Sequence, residues 1–139
     1  MKPSTLLFVA INYLGLASAA AITPDDTLPA IEKRACFDSG ASWGSQRGTA
    51  LTRAQTACNG PLKGTYQKRE TRPECYSIGG GKIVRFTVGL TGPNAPEERN
   101  LGYAECLDGL TSEIISCGKG GDTTYGRWRY RADPNVGTC

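Results

Sequence analysis

Six cysteines and no histidine constrain this chain more than any other feature. The cysteines are Cys36, Cys58, Cys75, Cys106, Cys117 and Cys139, spread singly with no Cys-x-x-Cys spacing. Zinc sites are built from such paired spacings and from histidines, so zinc is a poor reading and no cofactor is called for. An even number of isolated cysteines reads instead as a disulfide framework. Disulfides persist in oxidising compartments, so export from the cytosol is expected. A small domain buries too little apolar surface to be very stable alone. Bridges worth roughly 2–4 kcal/mol each supply much of the margin. Six cysteines can be paired in many ways, and spacing does not choose among them.

The start of the chain fits that compartment. Met1-Lys2 is a positive lead, Leu6 to Leu16 is an apolar run broken by Asn12, and Ala17-Ser18-Ala19 is a small-x-small cleavage signal. Residues 1–19 therefore read as a secretory signal peptide, too short in its apolar part to span a bilayer. Residues 20–34 are rich in Ala and Pro, carry Asp25, Asp26 and Glu32, and end in Lys33-Arg34. They read as a pro-segment cut at that dibasic pair just before the first cysteine. The expected product, residues 35–139, is one extracellular domain with no transmembrane segment. Residues 1–34 carry equal numbers of both charges, so the net charge stays at +3. A charge so mild and so interspersed speaks against a nucleic-acid partner.

Periodicity sketches the domain. Ala35-Cys36-Phe37 is a short first strand, followed by a loop of turn formers that holds Trp43. Ser45 is a candidate N-cap for a helix over 46–58, where Ala50, Leu51, Ala54, Ala57 and Cys58 recur at helical spacing. Asn59-Gly60-Pro61 ends it. Short strands follow at 65–68 and 75–78, then a Gly79-Gly80-Gly81 hairpin turn. In the strand over 82–90, Val84, Phe86, Val88 and Leu90 share one face, against Ile83, Arg85 and Thr87 on the other. After a loop at 91–100, Tyr103, Cys106, Leu107, Leu110, Ile114 and Cys117 line a second helix over 102–117. Gly109 within it costs roughly 1 kcal/mol relative to Ala, which implies close packing. An exit loop at 118–122 leads to a last strand, where Arg127, Arg129 and Arg131 face one way and Trp128 and Tyr130 the other. Asp133-Pro134-Asn135 reads as a turn, and Cys139 ties the chain end down. The expected fold class is α+β: a small disulfide-stapled α/β sandwich in split β-α-β-β-α-β order, with an antiparallel or mixed sheet and both helices on one side. In that plan the helices run roughly parallel, which predicts a Cys58–Cys117 bridge.

The same residues weigh against catalysis. Without histidine there is no Ser-His or Cys-His dyad and no imidazole acid–base pair. Carboxylates exist at Asp38, Glu74, Glu105, Asp108, Glu113 and Asp133, but no spacing places two of them across a cleft. Binding is better served. Flat aromatic faces suit the C–H faces of sugars, and planar polar groups suit their hydroxyls. Tyr125, Trp128 and Tyr130 supply the first, and Asp122, Thr123, Arg129, Asp133 and Asn135 the second. On a strand opposite a charged face, Trp128 and Tyr130 read first as core and only second as ligand contacts. Trp43, in its Gly/Ser loop, belongs to no periodic element and is a candidate for exposure and, with it, for glycan binding. The three arginines read either as a solvated face or as a patch for acidic glycans or anionic lipid.

Several separated motifs carry a resemblance. They are Cys36-Phe37-Asp38-Ser39-Gly40-Ala41-Ser42-Trp43-Gly44, Glu105-Cys106-Leu107-Asp108-Gly109-Leu110 with Glu113-Ile114 and Cys117, and Gly120-Gly121-Asp122-Thr123 leading to Trp128 and Ala132-Asp133-Pro134-Asn135. In this order the chain resembles the fungal Y3-like glycan-binding domain over essentially all of residues 35–139. The resemblance implies a secreted lectin-like α/β sandwich, with extra helical cover on the second face of the sheet. It implies glycans or glycoproteins of a cell wall or host surface as partners, leaves a homodimer open, and does not imply catalysis. The pro-segment and the strand order also look like the killer-toxin-like effectors, which would act through protein or membrane contact.

Overall fold

The first helical pattern becomes α1 (Arg47–Asn59), led in by a short 3-10 turn over Gly44–Gln46. Ser45 does not cap it, because the helix starts one residue later than expected, at Arg47, with Gln46 in the cap position and no side-chain cap bond. Gly60 and Leu62 close its end by donating to the Ala57 carbonyl. The computed structural model describes residues 35–139, so the leader, the pro-segment and the Lys33-Arg34 site lie outside the described residues. Past α1 come β1 (Gly64–Gln67), β2 (Thr71–Gly79), β3 (Lys82–Gly89) and β4 (Glu98–Leu101), then α2 (Tyr103–Ser116), β5 (Gly121–Tyr125) and β6 (Trp128–Val136). The class is α+β, as expected, with every strand pair antiparallel.

The strands differ in detail from the periodic reading. The main sheet has the order β2-β3-β6-β5, and β1 pairs only with β4, a strand hidden in the supposed 91–100 loop. The first strand shrinks to a single bridge, Cys36 against Gly121, at the edge beside β5. The last two residues of the exit loop, Gly121 and Asp122, already belong to β5. β6 does not turn at Asp133-Pro134-Asn135 but runs on to Val136. Its pairing with β5 stops at Ala132, so beyond that point β6 has β3 alone as neighbour. Gly120 lies against the Ala132 carbonyl, which therefore faces the β5 side, and Pro134, two residues on, faces that same open side. Its missing N–H costs no ladder bond there.

One buried cluster fills the space between the sheet and the helices. The sheet contributes Val84, Phe86, Val88, Trp128, Tyr130 and Ala132, while the helices contribute Ala50, Ala54, Leu110 and Ile114. Tyr66 and Leu101 bring the β1–β4 ribbon into the same cluster. Among the described residues no helix lies on the second face of the sheet, so the extra cover implied by the resemblance is not found there, and none is long and apolar enough to cross a membrane.

The disulfides are Cys36–Cys117, Cys58–Cys106 and Cys75–Cys139, and the expected Cys58–Cys117 bridge is not made. The β1–β4 ribbon is the reason. Gly64, soon after α1, pairs with Leu101, just before α2. The last turn of α1 is thereby brought to the first turn of α2, where Cys106 sits. The far end of α2 meets the N-terminal segment instead, and Cys117 takes Cys36. A chain with these bridges and no free cysteine among the described residues belongs to an oxidising compartment.

Gly109 shows the close packing that its place in a helix implied. A Cβ there would overlap the ring of Tyr130. A Gly→Ala change in an open helix stabilises by about 1 kcal/mol. Here Gly109→Ala is expected to destabilise instead, by about 1–3 kcal/mol, as overpacking does. Urea denaturation of the variant beside the wild type reads the sign directly.

A candidate ligand cleft

The hairpin that joins β5 to β6 leans over the first turn of α2, and β4 closes the side. Between them lies a cleft of about 520 Å3. Tyr125, Gly126, Arg127, Trp128 and Tyr130 come from the hairpin, Arg99 from β4, Glu105 from α2, and Asn94 from the loop before β4. That loop is pinned to the hairpin, since the Gly92 N–H donates to the Arg127 carbonyl at 3.0 Å. Any side chain at Gly92 would collide with the Gly126 carbonyl. A second hollow of about 430 Å3 continues along α2, bordered by Asp108, Gly109 and Ser112. Glu105, Tyr125 and Tyr130 line both, so the two form one groove.

The aromatic wall is held from behind. The Tyr125 hydroxyl donates to Oε1 of Glu113, which is fully buried, at 3.1 Å. The Tyr125 and Tyr130 rings meet at 5.9 Å with a tilt of 50°. The Tyr130 hydroxyl donates to the Glu105 carbonyl at 3.3 Å. Trp128 packs edge-on against Tyr66, with ring centroids 5.0 Å apart. The Tyr66 ring also carries the Arg72 guanidinium over its face at 3.9 Å, and its hydroxyl donates to the Leu62 carbonyl at 2.6 Å. Burial pushes the Tyr66 phenol up to about 12, against the opposing pull of Arg72. Burial, reinforced by the nearby Glu105 carboxylate, pushes Tyr130 further up still.

The polar side is incompletely paired. Arg99 Nη2 reaches Glu105 Oε2 at 3.2 Å. Yet Arg99 Nε, Glu105 Oε1 and Trp128 Nε1 are buried without a hydrogen-bond partner. Each such group costs about 1–3 kcal/mol if left unmet. Folded proteins keep few of them. All three belong to residues that line this one cleft.

The residues singled out from sequence divide between two faces. Tyr125 and Trp128 meet in the cleft, although Trp128 is only 4% exposed. Trp43 does not take part: it is fully buried, and its Nε1 donates to the Cys117 carbonyl at 2.7 Å. Its loop is a strap tied across the end of α2, not an open tip. Thr123 is also buried and accepts from the Ala35 N–H at 3.3 Å. Asp122, Arg129, Asp133 and Asn135 lie on the opposite face of the sheet. There Asp122 Oδ1 receives Arg129 Nε at 2.8 Å, Arg131 bridges Asp122 and Asp133, and Asn135 Nδ2 donates to the Asp133 carbonyl. The expected cationic patch is thus largely neutralised by its own carboxylates. Only Arg127, in the hairpin turn, reaches the cleft. Asn94 and Arg99 were not legible as site residues, since the segment that carries them shows no periodicity. Glu105 was visible only as one carboxylate among several.

No protein-family model matches this chain, and no curated protein matches it.

Two measurements check this geometry. Trp43→Ala should lose about 3–5 kcal/mol of stability, as a truncated buried aromatic does, while leaving the cleft residues in place. Denaturation with tryptophan fluorescence from Trp128 reads both. At high pH, burial favours the neutral phenols of Tyr66 and Tyr130, whereas the unfolded chain ionises from about 10. The stability they contribute should therefore be intact below about 10 and fall as pH rises toward the Tyr66 value of about 12. Thermal unfolding across that range shows the decline.

Proposed function

We propose that this chain is a secreted, non-catalytic carbohydrate-binding protein whose ligand occupies the groove between the β5–β6 hairpin and α2. One observation carries the reading. An aromatic wall led by Tyr125 and backed by the nearly buried Tyr130 and Trp128 stands beside buried, unpaired polar atoms of Arg99, Glu105 and Trp128. Sugars ask for that combination, an apolar surface for their C–H face and donors and acceptors for their hydroxyls. The wall is pre-organised, because Glu113 holds the Tyr125 hydroxyl and Gly109 seats the Tyr130 ring. Little ordering remains to be done on binding. The resemblance of the motifs to a glycan-binding domain points the same way, and the disulfide framework suits an extracellular setting. Glu105 and Asp108 border the groove from one face of a single helix, whereas hydrolysis of a glycosidic bond needs carboxylates on opposite sides of it.

A glycan array probed with the secreted protein tests this. Binding to at least one glycan class is expected, and Tyr125→Ala should weaken it at least about tenfold, or about 1.4 kcal/mol. Trp43→Phe, remote from the groove, should leave affinity unchanged. A protein that binds no glycan yet permeabilises vesicles or kills cells would establish the effector reading instead.

A further inference from the structure

Glu105 stands where the two hollows join. Its neighbours in the larger hollow are cationic, Arg99 and Arg127, and its neighbour in the smaller one is Asp108. Without Glu105 the larger hollow would present two guanidinium groups and the Trp128 indole N–H, a set of donors suited to a carboxylate or a sulfate. Glu105 changes that set. One of its oxygens engages Arg99, and the other is an acceptor with no partner. A hydroxyl can answer both kinds of group at once, since it accepts and donates. An ionised acid only accepts, so it would satisfy Arg99 and Trp128 while facing the Glu105 carboxylate unpaired. The side chains of Arg99 and Glu105 are 33% and 40% exposed, so a ligand in the groove meets both, and reaching the buried Nε and Oε1 atoms requires a rotation. On the sheet's other face Arg129 and Arg131 are already engaged by Asp122 and Asp133, although Arg85 borders a separate hollow there.

We infer that Glu105 is the specificity-determining residue of the groove, admitting neutral, hydroxyl-rich sugars and rejecting carboxylated or sulfated ones. The inference rests on the glycan reading above. A carboxylate in the first turn of a helix also favours the helix itself. The test must therefore read preference rather than stability.

The experiment compares the secreted wild type with Glu105→Gln, which keeps the shape and an acceptor for Arg99 but removes the charge. Matched glycan pairs, neutral and sulfated or uronic on the same core, are titrated against both. The wild type should favour the neutral member by about tenfold or more. Glu105→Gln should lose most of that preference or reverse it. Equal binding of acidic and neutral members by the wild type overturns the inference, and so does a variant that loses affinity for both members alike. A second arm needs no glycan ligand: the Trp128 indole N–H resonance is followed while glucuronate or sulfate is added. A shift in Glu105→Gln but not in the wild type upholds charge selection even if the array is blank, in which case the glycan reading alone falls. No shift in either protein with a blank array overturns both.

Discussion

The flat contact between the Tyr130 ring and the backbone at Gly109 sets the distance between β6 and α2, and much of the molecule follows from that distance. A side chain at Gly109 would push the helix off the sheet. With glycine there, the ring lies against the helix, and its hydroxyl reaches the Glu105 carbonyl one turn earlier. The same ring supplies the shared wall of both hollows and supports Tyr125. A packing solution in the core thus fixes the shape of the groove at the surface, because a close-packed interior transmits a displacement rather than absorbing it.

The disulfides guard the ends of that arrangement. Cys58–Cys106 holds the entry to α2 and Cys36–Cys117 its exit, so the helix that carries Glu105, Asp108, Gly109 and Glu113 is clamped at both ends. Cys75–Cys139 ties the tail of β6 to β2 on the outer face. A domain of this size gains most from cross-links that restrict the unfolded chain over long loops. These three span separations of 81, 48 and 64 residues. The strap from Ala35 to Trp43 adds a further hold, with Trp43 buried over the Cys117 carbonyl.

Charge is distributed differently on the two faces. On the outer face Arg129, Arg131, Asp122 and Asp133 satisfy one another, and the ion pair with Asp122 raises the Arg129 pKa. In the groove the pairing is partial, and the leftover donors and acceptor sit beside aromatic rings. In a surface of the first kind the charged groups named are already paired with one another. One of the second kind has unmet hydrogen-bonding capacity, and a ligand that meets it gains affinity and specificity together.

Alternation and helical spacing were enough to show both helices, the β2–β3 hairpin, the buried face of β3 and the split of Trp128 and Tyr130 from the arginines. Those patterns are local: each side chain's direction depends on its own element's period. The cysteine count likewise implied a bridged domain of an oxidising compartment, and Gly109 inside a helix announced a close approach. The bridge partners, the β1–β4 ribbon, the run of β6 through Pro134 and the burial of Trp43 were decided only in three dimensions. Each depends on which distant strand lies alongside, and a strand's register is set by its partner rather than by its own residues. The groove belongs to this second kind. Asn94, Arg99, Glu105 and Tyr125 come from four separate stretches of chain, and nothing in any one of them says that the others stand opposite.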